Sequence, residues 1–410
     1  MMNETELIPH LFRTEYSKIV AVLCKLFGIE YIAMAEDIAS DTFLLAAETW
    51  GLKGLPQNPT AWLYKVSKNK AIDFLRRNKI FTEKVTPAIS SSQNEVTNPQ
   101  IDLSAQNITD SQLQMMFAIC HPCISTEAQI GLSLNILCGF GAEEIADAFL
   151  SNKETIYKRL SRAKEKLQTE KVKIELPETN EINERLETVL TTLYLLFSEG
   201  YYSSSQNTTL RKDLCIEAMR LNVMLTENDA TNTPAANALL SLMCFHASRF
   251  EARINQQGEI VLYEDQDENL WNTELINKGE YYLNLASKGQ QLTKYHFEAA
   301  IAYWHTQKKD THEKWESILQ LYNKLLQIEY SPIAALNRTY ALSKANGKAE
   351  AIIEAEKLDL SGNHLYHSLL GHLYSTINST KALQHFQMAL TYARSAADKA
   401  TITKSINSLA

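Results

Sequence analysis

Glycine and proline are scarce in this chain, which favours helices over a glycine-punctuated all-β fold. With 13 Gly and 9 Pro in 410 residues, it lacks the turn residues that an all-β sandwich or barrel needs at every hairpin. Leu, Ala, Glu and Lys, all good helix formers, are abundant. The expected fold class is therefore all-α, and the length predicts several domains rather than one core. No apolar run reaches the roughly 20 residues of a membrane span. Met1 to His10 is polar and acidic, without the basic start and apolar stretch of a secretory signal. Six Cys are too few for a disulfide scaffold. These features predict a cytoplasmic protein with no membrane partner.

Apolar spacing divides the chain. Leu11, Phe12, Ile19, Leu23 and Leu26, then Ile38, Phe43, Leu44 and Ala47, recur at helical intervals. Pro56 and Pro59 interrupt the pattern before a third helix over about Thr60 to Arg77. From Thr82 to Asn107 the period vanishes into Ser, Thr, Asn, Gln and Pro, as in an extended linker. Helical spacing resumes at Ser111 and runs to about Lys171, and Pro177 marks a second boundary. Near the C-terminus Leu336, Asn337 and Tyr340 recur 34 residues later as Leu370, Gly371 and Tyr374, followed by Ala382, Phe386 and Ala389. That step is the tetratricopeptide period, with Pro332 closing the helix before the first copy. An irregular helical bundle is the alternative.

The net charge of −8 hides an uneven distribution. Residues 60–81 hold six bases against one acid and residues 150–173 eight against three, a net of +5 in each. Residues 174–410 hold 21 bases against 28 acids, a net of −7. Two basic stretches ahead of an acidic half fit two DNA contacts joined to a domain that touches no DNA.

The second basic stretch, GFGAEEIADAFLSNKETIYKRLSRAKEKL, reads as a helix-turn-helix. Ile145, Ala146 and Phe149 form the inner face of its first helix, Asn152 caps the second, and Ile156, Leu160 and Ala163 form the second helix's apolar stripe. Lys153, Tyr157, Lys158, Arg159, Arg162 and Lys166 fall on its other faces, where Lys and Arg can meet phosphates and guanine edges in a major groove. In the first basic stretch Trp62, Tyr64 and Phe74 interleave with Lys65, Lys68, Lys70, Arg76 and Arg77. Rings that stack on bases beside cations that follow the backbone suit single-stranded DNA. Leu63, Val66 and Phe74 read as core.

In this order and across this linker, the two stretches resemble regions two and four of sigma-70 superfamily factors of the extracytoplasmic-function type. AEDIASDTFLLAAETW is similar to the region-two segment that binds the polymerase clamp, which implies polymerase-binding roles for Glu36, Asp37, Asp41, Phe43 and Leu44. NPTAWLYKVSKNKAIDFLRR is similar to the helix that melts and reads the downstream promoter element, with Trp62, Tyr64, Asn69, Asp73, Arg76 and Arg77 in register. IADAFLSNKETIYKRLSRAKEKL resembles the region-four reader of the upstream element, matching at Ile145, Ala146, Thr155, Arg159, Leu160, Arg162 and Ala163. The turn departs from the pattern, with Leu150 where the family usually has Gly and Ser151 where it has an apolar residue; the basic run after Arg77 is also short, only Lys79 before Phe81. ICHPCISTEAQIGLSLNIL, LYLLFSEGYYSS, VLYEDQDENLW and AAIAYWH resemble a subgroup with a long tetratricopeptide-like extension that takes the place of a separate anti-sigma protein.

The resemblance implies region two over 5–81, a linker over 82–108, region four over 109–173 and a regulatory helical extension over 178–410. The partners it implies are core RNA polymerase (the beta-prime clamp and the beta flap), promoter DNA, and a regulatory protein or small-molecule signal at the extension. No cofactor, metal or catalytic residue is expected, and the chain is expected not to be an enzyme. The rival reading is a helix-turn-helix regulator with a tetratricopeptide-like sensor that does not bind polymerase; a plain helical scaffold is a third. Cys120-His121-Pro122-Cys123 could form a dithiol or half a zinc site, but no second pair follows, and it reads instead as buried packing with helix punctuation. His246, His296 and His305, with Asp265 and Asp267, lie too far apart in sequence to argue for a metal or hydrolase site.

Overall fold

The computed structural model describes residues 4–77, 101–149, 151–178, 181–202, 211–253, 255, 261, 263–393 and 396–409, and every regular element among them is helical. The chain divides into two compact units, residues 1–195 and 196–410.

In the first unit α1 (Glu4–Phe27) is the central element. Ile19, Val20, Ala21, Val22, Leu23 and Cys24 are all buried, so this part of the helix is enclosed on every side. Around it pack α2 (Ile32–Lys53), α3 (Pro59–Arg77), α4 (Ala105–Ile119) and a π-helical turn at Ser133–Leu137. The π turn continues α5 (Thr126–Leu132). Next come α6 (Ala142–Ala148) and α7 (Lys153–Thr169), which pack on each other, and α7 also rests on α5 and on the 3-10 turn Ile29–Tyr31. The stretch read as a linker behaves differently at its end. Ser104 caps α4, its hydroxyl accepting from the Asn107 N–H, so the helix starts at Ala105. Residues 78–100 lie outside the described residues.

The boundary between the units falls inside α8 (Ile182–Tyr202) rather than at Pro177. The first half of α8 is tied to the first unit. Arg185 Nη2 donates to the Phe117 carbonyl at 2.6 Å. Thr192 Oγ1 lies 3.2 Å from Gln129 Oε1, and the amide of Gln129 donates to the carbonyls of His121 and Ile124. The ICHPC segment is thus a loop pinned by Gln129 between α4 and α5.

The second unit comprises α9 (Lys212–Thr226), α10 (Pro234–Ala247), α11 (Thr273–Ala286), α12 (Lys294–Trp304), α13 (His312–Ile328), α14 (Pro332–Ala345), α15 (Lys348–Ala355), α16 (His364–Tyr374), α17 (Ser379–Tyr392) and α18 (Ala396–Asn407). Most of these helices pack on their sequence neighbours, and α10 also packs on α12. Pro332 opens α14 behind the Ser331 cap instead of closing the helix before it, because a first-turn residue needs no N–H partner. Leu370, Tyr374, Ala382, Phe386 and Ala389 are buried in one apolar core with Trp315, Ile318 and Leu336. Gly371 lets α16 approach α17, and a Cβ there would stand 2.7 Å from the Phe386 ring. Gly371→Ala should destabilise the protein by about 1–3 kcal/mol through overpacking, whereas Gly362→Ala, with open space around it, should leave the thermal midpoint unchanged. Equal midpoints for the two variants would refute this packing.

Candidate nucleic-acid interface

On α2 the residues expected to meet polymerase separate into two groups. Asp37, Asp41 and Leu44 are exposed and, spaced four and three apart, share one face. Leu44 is 60% and Leu52 88% exposed, and Leu45 joins them, so an acidic and apolar strip covers this side of the helix. Leu45 and Leu52 were not singled out from sequence, although Leu45 stands four residues from Asp41 and Leu52 eight from Leu44, which continues the same pattern. Asp41 holds Lys70 of α3 at 3.3 Å. Phe43 points the other way. It is buried against Phe12, edge to face at 5.1 Å between centroids, and is a core residue rather than a docking one. Glu36 is also turned inward: its carboxylate meets Lys164 Nζ of α7 at 2.5 Å, with both side chains only 19% exposed.

On α3, Leu63, Ser67, Ala71 and Leu75 are buried while Lys65, Asn69, Asp73, Arg76 and Arg77 are exposed, with Lys68 half-buried beside them. Trp62 is half-buried and packs edge to face on Trp50 at 5.3 Å. Tyr64 donates its hydroxyl to Glu15 Oε2 at 2.5 Å, and burial together with that carboxylate pushes the phenol well above its usual range. Both rings are therefore partly committed to the core, and the solvent side of α3 belongs to its cations and Asn69.

The helices α6 and α7, in the stretch expected to be a helix-turn-helix, pack on each other. Asn152 Oδ1 accepts from the Thr155 N–H at 2.7 Å, the predicted cap, and Ile156, Leu160, Ala163 and Leu167 form the buried stripe. Leu150 lies outside the described residues. Lys153 and Lys158 pair with Glu143 and Glu154. Tyr157 is 68% exposed. Arg159 and Arg162 make no ion pair among the described residues and, with Lys158 and Lys166, line an open groove beside Cys123, Ile124 and Ser125. Cationic side chains left unpaired on an exposed helix face are available to phosphates and base edges.

The two helical groups are joined by contacts between residues distant in sequence. Arg13 on α1 pairs with Glu144 on α6 at 2.7 Å and lies over the Phe140 ring. Gln112 Nε2 donates to Ser17 Oγ at 3.2 Å in the interior, and Lys25 Nζ to Asn107 Oδ1 at 3.2 Å.

The rival sites do not assemble. Burial raises the Cys120 thiol to about 11 and also raises Cys123, the reverse of a reactive thiolate. His296 caps its own helix through Thr293. Among the described residues no group of three or more His, Cys, Asp or Glu side chains could hold a metal ion, and no helix is long and apolar enough to cross a membrane.

The Glu36–Lys164 pair is short and largely desolvated, so a double-mutant cycle with Glu36→Gln and Lys164→Met should return a coupling of about 1–2 kcal/mol in urea unfolding. A coupling near zero would mean that the pair holds nothing together.

Residues 11–80 match Sigma-70 region 2, which spans α1 to α3, and residues 185–287 match a family of unknown function, DUF6596. The chain is 31% identical over 382 residues to the uncharacterized protein R00370 of Rhizobium meliloti (strain 1021), covering 92% of this chain and 90% of that one. No solved structure matches. Over its first three helices the chain is similar to Sigma-70 region 2, and along nearly its whole length it belongs to one family with the rhizobial protein.

Proposed function

We propose that the protein is a sigma factor of the extracytoplasmic-function type. In this reading it binds core RNA polymerase, recognises promoter DNA and starts transcription, and the extension over 178–410, with tetratricopeptide-like packing, regulates it. The observation that carries the reading is that Asp37, Asp41 and Leu44 share one exposed face of α2 within the stretch similar to Sigma-70 region 2. An acidic and apolar strip is what a basic, apolar clamp surface would recognise. The exposed Lys65, Asn69, Arg76 and Arg77 of α3 would engage the opened downstream element, and Arg159 and Arg162 of α7 the upstream duplex. No catalytic step and no cofactor enters this reading.

Asp41→Arg reverses a charge on the docking strip and should weaken binding to core polymerase by at least about tenfold, as for interface charges generally. Arg159→Ala and Arg162→Ala should leave core binding intact and weaken duplex promoter binding by about 1–3 kcal/mol each where a guanine edge is read, or lower the salt slope by about one where a phosphate is met. Run-off transcription and pull-down with core polymerase check all three. Promoter binding without any binding to core polymerase would overturn the sigma reading in favour of an operator-binding regulator.

Because α8 contributes Arg185 and Thr192 to the first unit, deleting 178–410 should lower both the stability and the transcription activity of what remains. Deleting 203–410 should retain stability and isolate the effect of the extension on activity. Equal urea midpoints for the two truncations would refute this role for α8.

A further inference from the structure

In the second unit, segments far apart in sequence bring four cations onto a set of aromatic rings. Arg249, just past the end of α10, is only 7% exposed, and its guanidinium lies 5.5 Å from the centre of the Tyr263 ring. Lys314, in the first turn of α13, is 1% exposed. Its Nζ lies 5.1 Å from the same ring and 5.4 Å from Trp315, and it donates to the Tyr263 hydroxyl at 3.0 Å and the Gln307 carbonyl at 2.5 Å. Lys308 sits over Trp271 and donates to the Gln266 carbonyl. Lys344 sits over Trp315 and Tyr340.

The carboxylates near this cluster do not neutralise it. Glu264 and Asp310 both turn to Lys344, at 2.8 and 3.6 Å. Among the described residues no carboxylate lies in ion-pair range of Arg249, Lys308 or Lys314. Around Tyr263 three buried nitrogens, Arg249 Nε, Trp271 Nε1 and His305 Nδ1, have no hydrogen-bond partner. His305 meets the Tyr263 ring edge to face at 5.0 Å, and Trp271 stacks on that ring at 6.3 Å. Burial, with Arg249 and Lys314 beside it, holds His305 neutral, down to about 3. Burial likewise lowers Lys314: the Asp310 carboxylate works against that shift, and Arg249, Lys344 and Lys308 add to it.

Buried, mutually repelling cations that make no ion pair of their own, next to orphaned donors, cost stability unless something anionic joins them. Lys308 and Lys344 are half exposed, so the cluster opens to solvent on their side. We propose that this cluster is a binding site for a small phosphate-bearing anion, held by Arg249, Lys308 and Lys314 and by the Trp271 indole N–H. Several N–H donors from Arg, Lys and an indole suit the several oxygens of a phosphate group. This site does not depend on the sigma reading.

The test is a calorimetric titration of the full-length protein with pyrophosphate, inorganic phosphate and citrate at constant ionic strength, alongside thermal unfolding. Pyrophosphate or phosphate should bind saturably at one site per chain and raise the unfolding midpoint. Lys314→Met and Arg249→Met should each weaken that binding at least about tenfold, whereas the double variant Arg159→Ala/Arg162→Ala should retain it, which separates the site from the nucleic-acid face. Without anion, Lys314→Met should unfold at the same temperature as the parent or higher, because an unneutralised buried charge has been removed. If Arg249→Met does not fold, Lys308→Met at the half-exposed rim replaces it. The proposal is overturned by no saturable binding, by citrate binding as tightly as the phosphates, by binding that survives Lys314→Met or disappears with Arg159→Ala/Arg162→Ala, or by a lowered anion-free midpoint for Lys314→Met.

Discussion

The first unit depends on the enclosure of α1. Between Ile19 and Cys24 the helix has no face left for solvent, so it can be stable only when α2 and α3 cover one side and α4 and the π turn the other. The helices that match region 2 are built around this element, and α6 reaches it through the Arg13–Glu144 ion pair. The polar links of α1, Arg13 to Glu144 and Gln112 to Ser17, with Glu36 to Lys164 between α2 and α7, fix a register that apolar burial alone leaves loose, since hydrophobic contact is non-directional.

Much of this was legible in the sequence where the determinant is local. The stripe of Ile156, Leu160 and Ala163 and the Asn152 cap depend on residues within two turns of each other, and they stand where the spacing put them. The scarcity of Gly and Pro likewise announced a helical chain. What was not legible needs a partner far along the chain. Phe43 fits a docking motif by type and position, and only the presence of Phe12 beside it makes it core. Glu36 reads as a surface acid until Lys164, 128 residues later, closes on it. Pro177 ends a helical run, yet it does not end the unit, because the hydrogen bonds of Arg185 and Thr192 reach back to Phe117 and Gln129.

The second unit carries the same lesson in its chemistry. VLYEDQDENLW and AAIAYWH carry the subgroup resemblance without saying what their side chains do, and acids such as those of EDQD suit helix caps. Asp267 does cap Glu268–Leu270, but Glu264 faces Lys344 while Tyr263 collects Arg249 and Lys314. Three histidines seemed too scattered to matter. His305 stands among the cations at Tyr263 as a neutral neighbour, a role that spacing alone could not have suggested.

The position of α8 bears on how the chain is made. A polypeptide emerges from the ribosome N-terminus first, so α1 to α7 are available before Arg185 and Thr192 exist. At ordinary elongation rates the stretch from Pro177 to Leu193 takes about 1–3 s to synthesise, whereas helices form in about a microsecond. For that interval the nascent first unit holds a Phe117 carbonyl and a Gln129 amide oxygen still waiting for their donors. The nascent chain passes through a partly assembled state on every round of translation, at a length set by the position of α8 and not by the last residue of α7.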